Sequence, residues 1–372
     1  MTVLNEKVVD LNVQVGDLKI QKAKVYHIKL PLTEPFKISL GTQYDYSGTV
    51  VELDSGEIEG YGEGSTIEEI TGEVPAGVFE TALHILNRLK DRKYSGIEEL
   101  LEDVYKSVYA NPTAKDAVDT AIHDIVSKHY GIHLTRLLGG GPKEMQTSLT
   151  IGLGTVKENL QSLERLKRLK SKVIKVKVGK NADEDIERIK AISEHLEGME
   201  FYVDANQGYK LGDAMKVANV LGDSGALFFE QPLDRHALQD LRALRRQSGI
   251  PIMLDESISE PLDVIDAILS ESADLVNVKL TKSGGIRKAF KTLITAQSYG
   301  IDSMVGCMIE SKVGIAASLA VASSLSNVKY TDLDGFHSIK IQPFDGGLEY
   351  RSGINIPVSK PGLACAPIRK NW

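Results

Sequence analysis

Five short apolar segments in the middle of the chain end in ionisable residues, and they recur at a nearly constant interval. In chain order they are VIKVKVG, FYVDANQG, LFFEQP, PIMLDES and LVNVKLTKSGG. Their charged residues lie 24 to 27 residues apart and are Lys177, Asp204, Glu230, Asp255 and Lys279. One strand, one helix and two short loops together occupy an interval of about 25 residues. The repeat therefore predicts a series of strand–helix units.

The residues between these segments have the periodicity of helices. After the first segment, Ile186, Ile189, Ile192 and Leu196 fall on one side of a helix, with charged residues between them. Continuous runs of Val and Ile are typical of parallel strands that are buried on both faces. Repeated units of this kind close into a barrel, where residues at the carboxyl ends of the strands face the active site. We therefore predict an α/β fold built on a barrel.

Three further segments complete a set of eight strands. The first strand is predicted at residues 148–153, the seventh at 302–308 and the eighth at 327–332. No helical face follows Gly335, so the barrel is predicted as (β/α)7β, without its last helix. A barrel takes about 250 residues, which leaves part of this 372-residue chain for a second domain.

The remaining residues predict an α+β capping domain made by the N-terminal part and the C-terminal tail. The glycines and proline of LLGGGP mark the boundary between cap and barrel. The expected division is a capping domain at 1–140, a barrel at 141–342 and a C-terminal segment at 343–372 that returns to the cap. The expected elements of the cap are an extra strand or arm at 1–16, a strand at 19–30, a long polar loop at 31–46, a hairpin at 50–53 and 58–64, and helices at 75–89, 97–108 and 113–129.

Charge and composition narrow the class of protein. A net charge of −7 argues against a nucleic-acid partner. Two cysteines form no disulfide framework, which favours a reducing cytoplasm. The N-terminus lacks an apolar signal sequence, and no apolar stretch is long enough to span a membrane. We expect a cytoplasmic homo-oligomer that acts on a small molecule.

Carboxylates end three successive predicted strands. Taken singly, Asp204 fits an Asx-turn and Asp255 fits a helix cap. Together with Glu230 they would place three negative charges in one barrel opening, where they repel each other without a cation. Oxygen ligands without nearby Cys or His suit a hard ion, so we predict a site for Mg²⁺ or Mn²⁺.

Lysines flank the three carboxylates along the chain. Lys175 and Lys177 are two residues apart on one strand and therefore point to the same side, while Lys279 ends a strand across the barrel. One interpretation is that they form structural ion pairs with the acids. The other is that one lysine binds an anion and two act as bases, with pKa values lowered by a nearby cation. Bases on opposite faces of one carbon can remove a proton and return it.

The segments KVKVG, VDAN, FFEQP, LDES and NVKLTKSGG, in this order and spacing, resemble the enolase superfamily and its muconate lactonizing enzyme-like subgroup. The resemblance covers nearly the whole chain. It implies an Mg²⁺-dependent enzyme that removes the proton α to a carboxylate through a metal-stabilised enediolate. It assigns Asp204, Glu230 and Asp255 to the metal, Lys177 and Lys279 to proton transfer, and Lys175 to the substrate carboxylate.

The segment TDLDG resembles the dipeptide epimerases of this subgroup. There, an Asp-x-Asp at the end of the eighth strand binds the substrate's α-ammonium, and Asp332 and Asp334 match it. A solvated turn is the structural alternative for these two acids. By the same resemblance, Thr150, Cys307 and Ile309 are substrate contacts.

The far end of the substrate pocket departs from the family pattern. In Ala–Glu epimerases the loop after PFK carries an arginine for the side-chain carboxylate, but Gly41 stands at that place here. We therefore expect an uncharged side chain at the epimerised residue, with Tyr44 or Phe36 in contact with it. Lys37 is the alternative partner for an acidic side chain.

Other functions remain on the same scaffold. o-Succinylbenzoate synthase, a cycloisomerase or an N-acylamino acid racemase would use the same lysines and metal, but their substrates leave Asp332 and Asp334 without a role. A Schiff-base aldolase would use Lys177 or Lys279 as nucleophile, which leaves the three carboxylates unexplained. A binding protein without catalytic activity has no need of opposed lysines beside a metal site.

Overall fold

The computed structural model describes residues 2–39 and 41–368. Its N-terminal part is a sheet with the strand order β4-β3-β2-β1-β5, antiparallel except for β5, which pairs with β1 in parallel, and it is covered by helices. The elements are β1 (Thr2–Val15), β2 (Leu18–Ile38), β3 (Gly41–Asp54), β4 (Glu59–Ser65), α1 (Glu68–Thr71), α2 (Pro75–Leu89), β5 (Lys93–Tyr94), α3 (Ile97–Lys106), α4 (Pro112–His129) and α5 (Leu134–Leu137). The predicted N-terminal strand and the three predicted helices are present, with bounds that shift by at most a few residues.

Helix α4 lies directly on strand β4 because of a glycine pattern in the strand. Gly60, Gly62 and Gly64 alternate along β4, so they point to the same face. A Cβ on Gly62 would overlap the carbonyl oxygen of Ala117, and one on Gly64 would overlap that of Thr113. The missing side chains therefore let the helix backbone approach the sheet closely.

The predicted loop at 31–46 is wrong, because this segment forms the outer half of a β-hairpin. β2 and β3 continue to pair from Phe36–Gln43 to Ile38–Gly41, beyond a register irregularity between Pro31 and Phe36. That irregularity accommodates two prolines, which cannot donate to a regular ladder. The hairpin reaches the barrel, where Leu153 N donates to Lys37 O at 3.4 Å.

The second part of the chain is a parallel eight-stranded sheet whose strands follow one another in sequence order, β7 to β14. Seven of its strands are followed by helices, which confirms the predicted (β/α)7β barrel. The elements are β6 (Met145–Gln146), β7 (Ser148–Ile151), α6 (Val156–Arg168), β8 (Val173–Lys177), α7 (Ala182–Ser193), β9 (Glu200–Asp204), α8 (Leu211–Ser224), β10 (Phe229–Glu230), α9 (Leu238–Gln247), β11 (Ile252–Leu254), α10 (Pro261–Leu269), β12 (Leu275–Val278), α11 (Leu280–Ser283), α12 (Ile286–Ser298), β13 (Asp302–Gly306), α13 (Lys312–Ser324), β14 (Val328–Asp332) and a 3-10 helix (Gly335–Ser338).

Hydrogen bonds join the last strand of the barrel, and the residues just after it, to the first strand and to β6. Ser148 Oγ donates to Asp332 Oδ1 at 2.9 Å, and Thr331 Oγ1 donates to Gln146 O at 2.8 Å. Thr150 N donates to Asp334 Oδ2 at 2.9 Å. The closing contacts therefore hold both acids of the TDLDG segment at the edge of the barrel opening.

The C-terminal segment contacts both parts of the molecule. Its strands are β15 (Phe344–Gly346), β16 (Leu348–Arg351), β17 (Ile354–Pro357) and β18 (Cys365–Pro367). β17 pairs with β6 beside the barrel, while Leu363 N donates to Asp124 Oδ1 of α4 at 2.7 Å. These contacts support the division that we propose, with a cap at 1–140, a barrel at 141–342 and a returning segment at 343–372. No helix in the described part of the chain is long and apolar enough to cross a membrane.

Candidate active site

The ionisable residues of the repeated segments meet at the carboxyl end of the barrel. Asp204 and Glu230 are the last residues of β9 and β10, and Asp255 directly follows β11. Lys177 ends β8, and Lys279 directly follows β12. Since β8 and β12 are four strands apart in an eight-stranded barrel, the two lysines approach the carboxylates from opposite sides.

The three carboxylates form the centre of the site. One oxygen from each of Asp204, Glu230 and Asp255 lies within 4.8 Å of the others, and all three residues are buried. Burial and the charge of Asp204 raise the pKa of Glu230 to about 8. For Asp204, burial is outweighed by the charges of Lys175 and Lys177, which lower its pKa to about 2. The pKa of Glu230 is raised and that of Asp204 is lowered, so the lysines compensate the charge of Asp204 more than that of Glu230.

This set of donors fits a hard divalent cation. Carboxylate oxygens are the ligands that Mg²⁺ and Mn²⁺ prefer. Glu230 Oε1 accepts a hydrogen bond from Asn277 Nδ2 at 2.8 Å, whereas Glu230 Oε2 is buried, accepts no hydrogen bond from the described residues and has the Lys175 ammonium 3.0 Å away. A divalent cation could be coordinated by that oxygen and would reduce the repulsion among the acids.

Lys175 connects the carboxylate cluster to the last barrel strand. Its Nζ lies 2.9 Å from Asp204 Oδ2, 3.0 Å from Glu230 Oε2 and 2.7 Å from Asp332 Oδ2. Burial alone would lower the pKa of Lys175, but these carboxylates raise it well above its ordinary value. Three carboxylates thus hold Lys175 as an ammonium in this structure, which suits binding of an anion.

The other two lysines each pair with one end of the cluster. Lys177 Nζ lies 2.7 Å from Asp204 Oδ2 and donates to Asn206 Oδ1 at 2.8 Å. Lys279 Nζ lies 2.7 Å from Asp255 Oδ2. Burial would lower the pKa of Lys279, but Asp255 raises it above its ordinary value. The nearest charge to Lys279 in this structure is a carboxylate, whereas the expected lowering of its pKa requires a bound cation.

The structural roles considered for Asp204 and Asp255 are only partly present. Asn206 N donates to Asp204 Oδ1 at 2.8 Å, which is an Asx-turn. That contact leaves Asp204 Oδ2 to the lysines. The carboxylate of Asp255 contacts Lys279 and Lys282.

Asp332 and Asp334 lie beside the lysines at the rim of the site. Asp332 is occupied by Lys175 and Ser148. Asp334 accepts from Thr150 N, and burial together with the charge of Asp332 raises its pKa to about 6. A cation that arrives at this pair would therefore be stabilised mainly at Asp334, whose charge has no ion-pair partner among the described residues.

A cavity of about 760 Å³ opens over these groups and is covered by the cap. Ser39 Oγ of the hairpin donates to Asn206 O at 2.9 Å, and Ser65 Oγ donates to Ile309 O at 2.6 Å. Apolar and charged residues of both domains line it, among them Phe36, Lys37, Ile67, Leu149, Thr150, Arg165, Lys175, Lys177, Lys279, Cys307, Ile309, Asp332 and Asp334.

A buried acid of the cap holds the segment that follows β13. Glu63 accepts hydrogen bonds from Ser311 N at 2.7 Å and from Gly314 N at 3.2 Å, at the start of α13. Tyr46 also donates to Glu63. The cap thereby fixes the chain that carries Cys307 and Ile309 on the cavity wall.

Tyr44 lies outside this arrangement. Its side chain is 69% exposed, and it is not among the residues that line the cavity. The alternation of the outer hairpin places it on the face directed to solvent. Phe36 does line the cavity, as expected.

Three polar residues of the site were missed from the sequence. Asn206 contacts Lys177, Asn277 contacts Glu230, and the Lys282 ammonium contacts Asp255. Asn206 and Lys282 each follow a predicted site residue by two or three positions, and Asn277 precedes one by two, so proximity in the sequence was the available signal. Proximity alone was not sufficient, because the local turns decide whether the polar atoms of these residues point into the barrel opening.

Comparison with known families gives two matches that together span most of the chain. Residues 158–370 match the family model described as enolase C-terminal domain-like. Residues 20–139 match the N-terminal domain of mandelate racemase/muconate lactonizing enzyme. The boundary between the two matches falls near the glycine-rich segment at 137–142.

Individual relatives share about a third of the residues. The L-Ala-D/L-Glu epimerase of Bacillus subtilis is 33% identical, with 93% of this chain and 96% of that protein covered. The hydrophobic dipeptide epimerase of Enterococcus faecalis is 33% identical, with 89% and 94% covered. A crystal structure of the dipeptide epimerase from Enterococcus faecalis V583, complexed with Mg and L-Leu-L-Tyr, superposes with a TM-score of 0.89 at 31% identity, with 93% of this chain and 99% of that chain covered.

Proposed function

Because this chain belongs to the mandelate racemase/muconate lactonizing enzyme family of the enolase superfamily, we propose that it is a metal-dependent dipeptide epimerase, an isomerase. It would invert the α-carbon of the C-terminal residue of a dipeptide. The observation that carries this proposal is the opposed pair Lys177 and Lys279, each 2.7 Å from a different carboxylate of one buried cluster.

The proposed reaction moves one proton off the α-carbon and one onto it. One lysine, as a neutral amine, takes the α-proton from one face, and the ammonium of the other lysine delivers a proton to the opposite face. Lys175, which stays charged, would hold the substrate carboxylate. Asp204, Glu230 and Asp255 would hold Mg²⁺, with Mn²⁺ as a substitute. The bound ion would supply positive charge that stabilises the negative charge left when the α-proton departs.

Deuterium exchange tests this proposal directly. The protein is incubated with Mg²⁺ and a dipeptide library in D₂O, and each dipeptide is examined by mass spectrometry and chiral chromatography. We expect a mass increase at one α-carbon together with the second epimer. N-succinyl amino acids serve as the comparison substrates, because exchange confined to them would favour an N-acylamino acid racemase instead.

Asp332 and Asp334 are proposed to select substrates with a free α-ammonium. A hydrogen bond to a charged group is worth about 1.5–3 kcal/mol, and about 1.4 kcal/mol corresponds to a tenfold change in rate. N-acetylation of the dipeptide should therefore lower kcat/KM by about tenfold or more. Asp334→Asn is the cleaner variant, since Asp332 also holds Lys175, and it should reduce the discrimination between free and acetylated dipeptides. Equal kcat/KM values for both substrates with the unaltered protein would contradict this assignment.

The side chain of the epimerised residue is proposed to be uncharged. The two relatives compared above have equal identity and are named for glutamate-containing and for hydrophobic dipeptides, so identity does not choose between these classes. At the hairpin end of the cavity, Arg165 is paired with Glu34 at 2.9 Å, and Gly41 supplies no charge. We expect a higher kcat/KM for L-Ala-L-Leu than for L-Ala-L-Glu.

Lys37 provides the control for this specificity. It lines the cavity, and no ion pair joins it to another described residue. If the unaltered protein prefers L-Ala-L-Glu and Lys37→Met removes that preference, Lys37 binds the acidic side chain and the uncharged pocket is refuted. The epimerase assignment would stand in that case.

A cytoplasmic location and a homo-oligomeric assembly are also proposed. The cytoplasmic location is in keeping with two cysteines that are free and buried.

A further inference from the structure

A second cavity, of about 660 Å³, lies between the cap and the barrel, and the proposed reaction does not use it. The segment of α1 separates it from the active-site cavity, since Ile70 lines both. The cap contributes the end of α3 and the start of α4, and the barrel contributes the segments that follow β10, β11 and β12.

The lining of this cavity is strongly basic. Its six basic residues outnumber its single acid, Glu260, and they are Lys115, Arg235, Lys282, Arg287, Lys288 and Lys291. Four of the six have carboxylate partners. Arg287 and Lys291 pair with Glu98, Lys288 pairs with Glu260, and Lys282 pairs with Asp255. The remaining two, Lys115 and Arg235, form no ion pair with any described residue.

Lys115 is a buried cation that forms no direct ion pair with a described residue. It is 7% exposed, and its Nζ donates to Val108 O at 2.7 Å and lies 5.9 Å from the ring centre of Tyr105. Burial and the nearby charge of Lys288 lower the pKa of Lys115, and the charge of Glu73 opposes them only in part. A buried ammonium of this kind is costly unless an anion compensates it.

Arg235 is half-buried and also forms no ion pair with a described residue. Its guanidinium donates to Ile70 O at 3.2 Å and to Glu69 O at 3.4 Å, both backbone oxygens, and to the neutral Gln207. Guanidinium groups match the geometry of carboxylate and phosphate oxygens.

A hydroxyl group on the cavity wall is also unpaired. Ser283 is 3% exposed, lines the cavity, and its Oγ has no hydrogen-bond partner among the described residues. Buried hydroxyl groups in proteins almost always have a partner. The cavity wall around Ser283 is fixed by a hydrogen bond between the two domains, in which the Tyr105 hydroxyl donates to Gly284 O at 2.7 Å.

From these three groups we propose that the second cavity is a binding site for a phosphate group, contacted by Lys115, Arg235 and Ser283. A phosphate offers several strong acceptor oxygens and a charge near −2. These match two cations that have no ion-pair partner and one hydroxyl that has no hydrogen-bond partner among the described residues. The volume leaves room for an organic group attached to the phosphate. The site is independent of the proposed epimerase reaction.

Calorimetric titration tests the site with inorganic phosphate and with phenyl phosphate, at constant ionic strength and without added metal. Saturable binding by either probe is expected, and stronger binding of phenyl phosphate would identify a phosphate monoester as the ligand. Ser283→Ala, which removes only the hydroxyl, should weaken binding by roughly threefold to tenfold. Lys115→Met should weaken it by about tenfold or more. Lys216→Gln, which removes an ion-paired lysine on the exposed face of α8, is the matched control and should change affinity less than about twofold.

Three results would overturn the proposal. The first is no saturable heat with either probe up to about 10 mM, a weak-affinity limit. The second is equal phosphate affinity in the unaltered protein and in the Ser283→Ala variant, whose smaller side chain the site accommodates without rearrangement. The third is loss of phosphate binding when a dipeptide is added, because it would place the anion among Lys175 and its neighbours in the active-site cavity.

Discussion

Replacing Lys177 by alanine should abolish α-proton exchange from one epimer of the dipeptide, and replacing Lys279 should abolish it from the other. Each lysine reaches only one face of the bound α-carbon, because β8 and β12 stand on opposite sides of the barrel. Loss of a positioned base or acid costs about 10²–10⁴-fold in rate. Epimerisation needs both lysines, so it should fall by that factor in either variant, while exchange with retention should survive for one epimer in each.

The measurement is deuterium incorporation from D₂O into each pure epimer, followed separately for the two variants. Lys180→Ala is the matched control, since Lys180 is exposed and lies three residues beyond Lys177. Circular dichroism and metal binding should be checked, because Lys177 also pairs with Asp204. A variant that exchanges both epimers at the unaltered rate would refute the mechanism with two opposed bases.

Removal of the divalent ion should eliminate activity reversibly. Charge stabilisation by a bound metal is worth several kcal/mol in the transition state, which is on the order of 10³-fold in rate or more. EDTA should therefore abolish epimerisation, and added Mg²⁺ or Mn²⁺ should restore it. Asp204→Asn, Glu230→Gln and Asp255→Asn should each have a comparable effect that excess metal does not fully rescue.

Thermal unfolding gives a second test that does not depend on turnover. A ligand at 100 times its Kd stabilises the folded state by about 2.7 kcal/mol, so Mg²⁺ should raise the Tm of the unaltered protein. The shift should be smaller in each of the three variants and unchanged in Asp213→Asn, which alters an exposed carboxylate of α8. Full activity after exhaustive chelation would exclude the metal site.

Local patterns in the sequence determined the barrel and the membership of the cluster of carboxylates and lysines at its carboxyl end. A strand that is buried on both faces must be apolar along its whole length, so a charged residue at its carboxyl end stands out from its neighbours. The spacing of Lys177, Asp204, Glu230, Asp255 and Lys279 then indicates consecutive units of one barrel. Both features depend on residues within one strand–helix unit, and they need no knowledge of distant contacts.

The outer hairpin could not be predicted in the same way. Residues 33–39 and 41–45 lie over the barrel opening, and none of them is buried. Their pairing depends on contacts with another domain, such as Ser39 with Asn206 and Lys37 with Leu153. The segment, with its polar residues and two prolines, therefore has the composition of a loop. The sequence also does not show whether Tyr44 faces the cavity or solvent.

The pairing of charges was likewise decided only by the tertiary structure. Barrel closure brings Asp332 to within 2.7 Å of Lys175, although they are 157 residues apart in the chain. The same packing of cap on barrel leaves Lys115, Arg235 and Ser283 around one cavity without charged partners. The amino-acid sequence by itself determines which residues carry charge at the ends of strands. The distances between those charges, and hence their pKa values and their partners, follow from how the strands close and how the two domains pack, because electrostatic interactions depend on separation and burial.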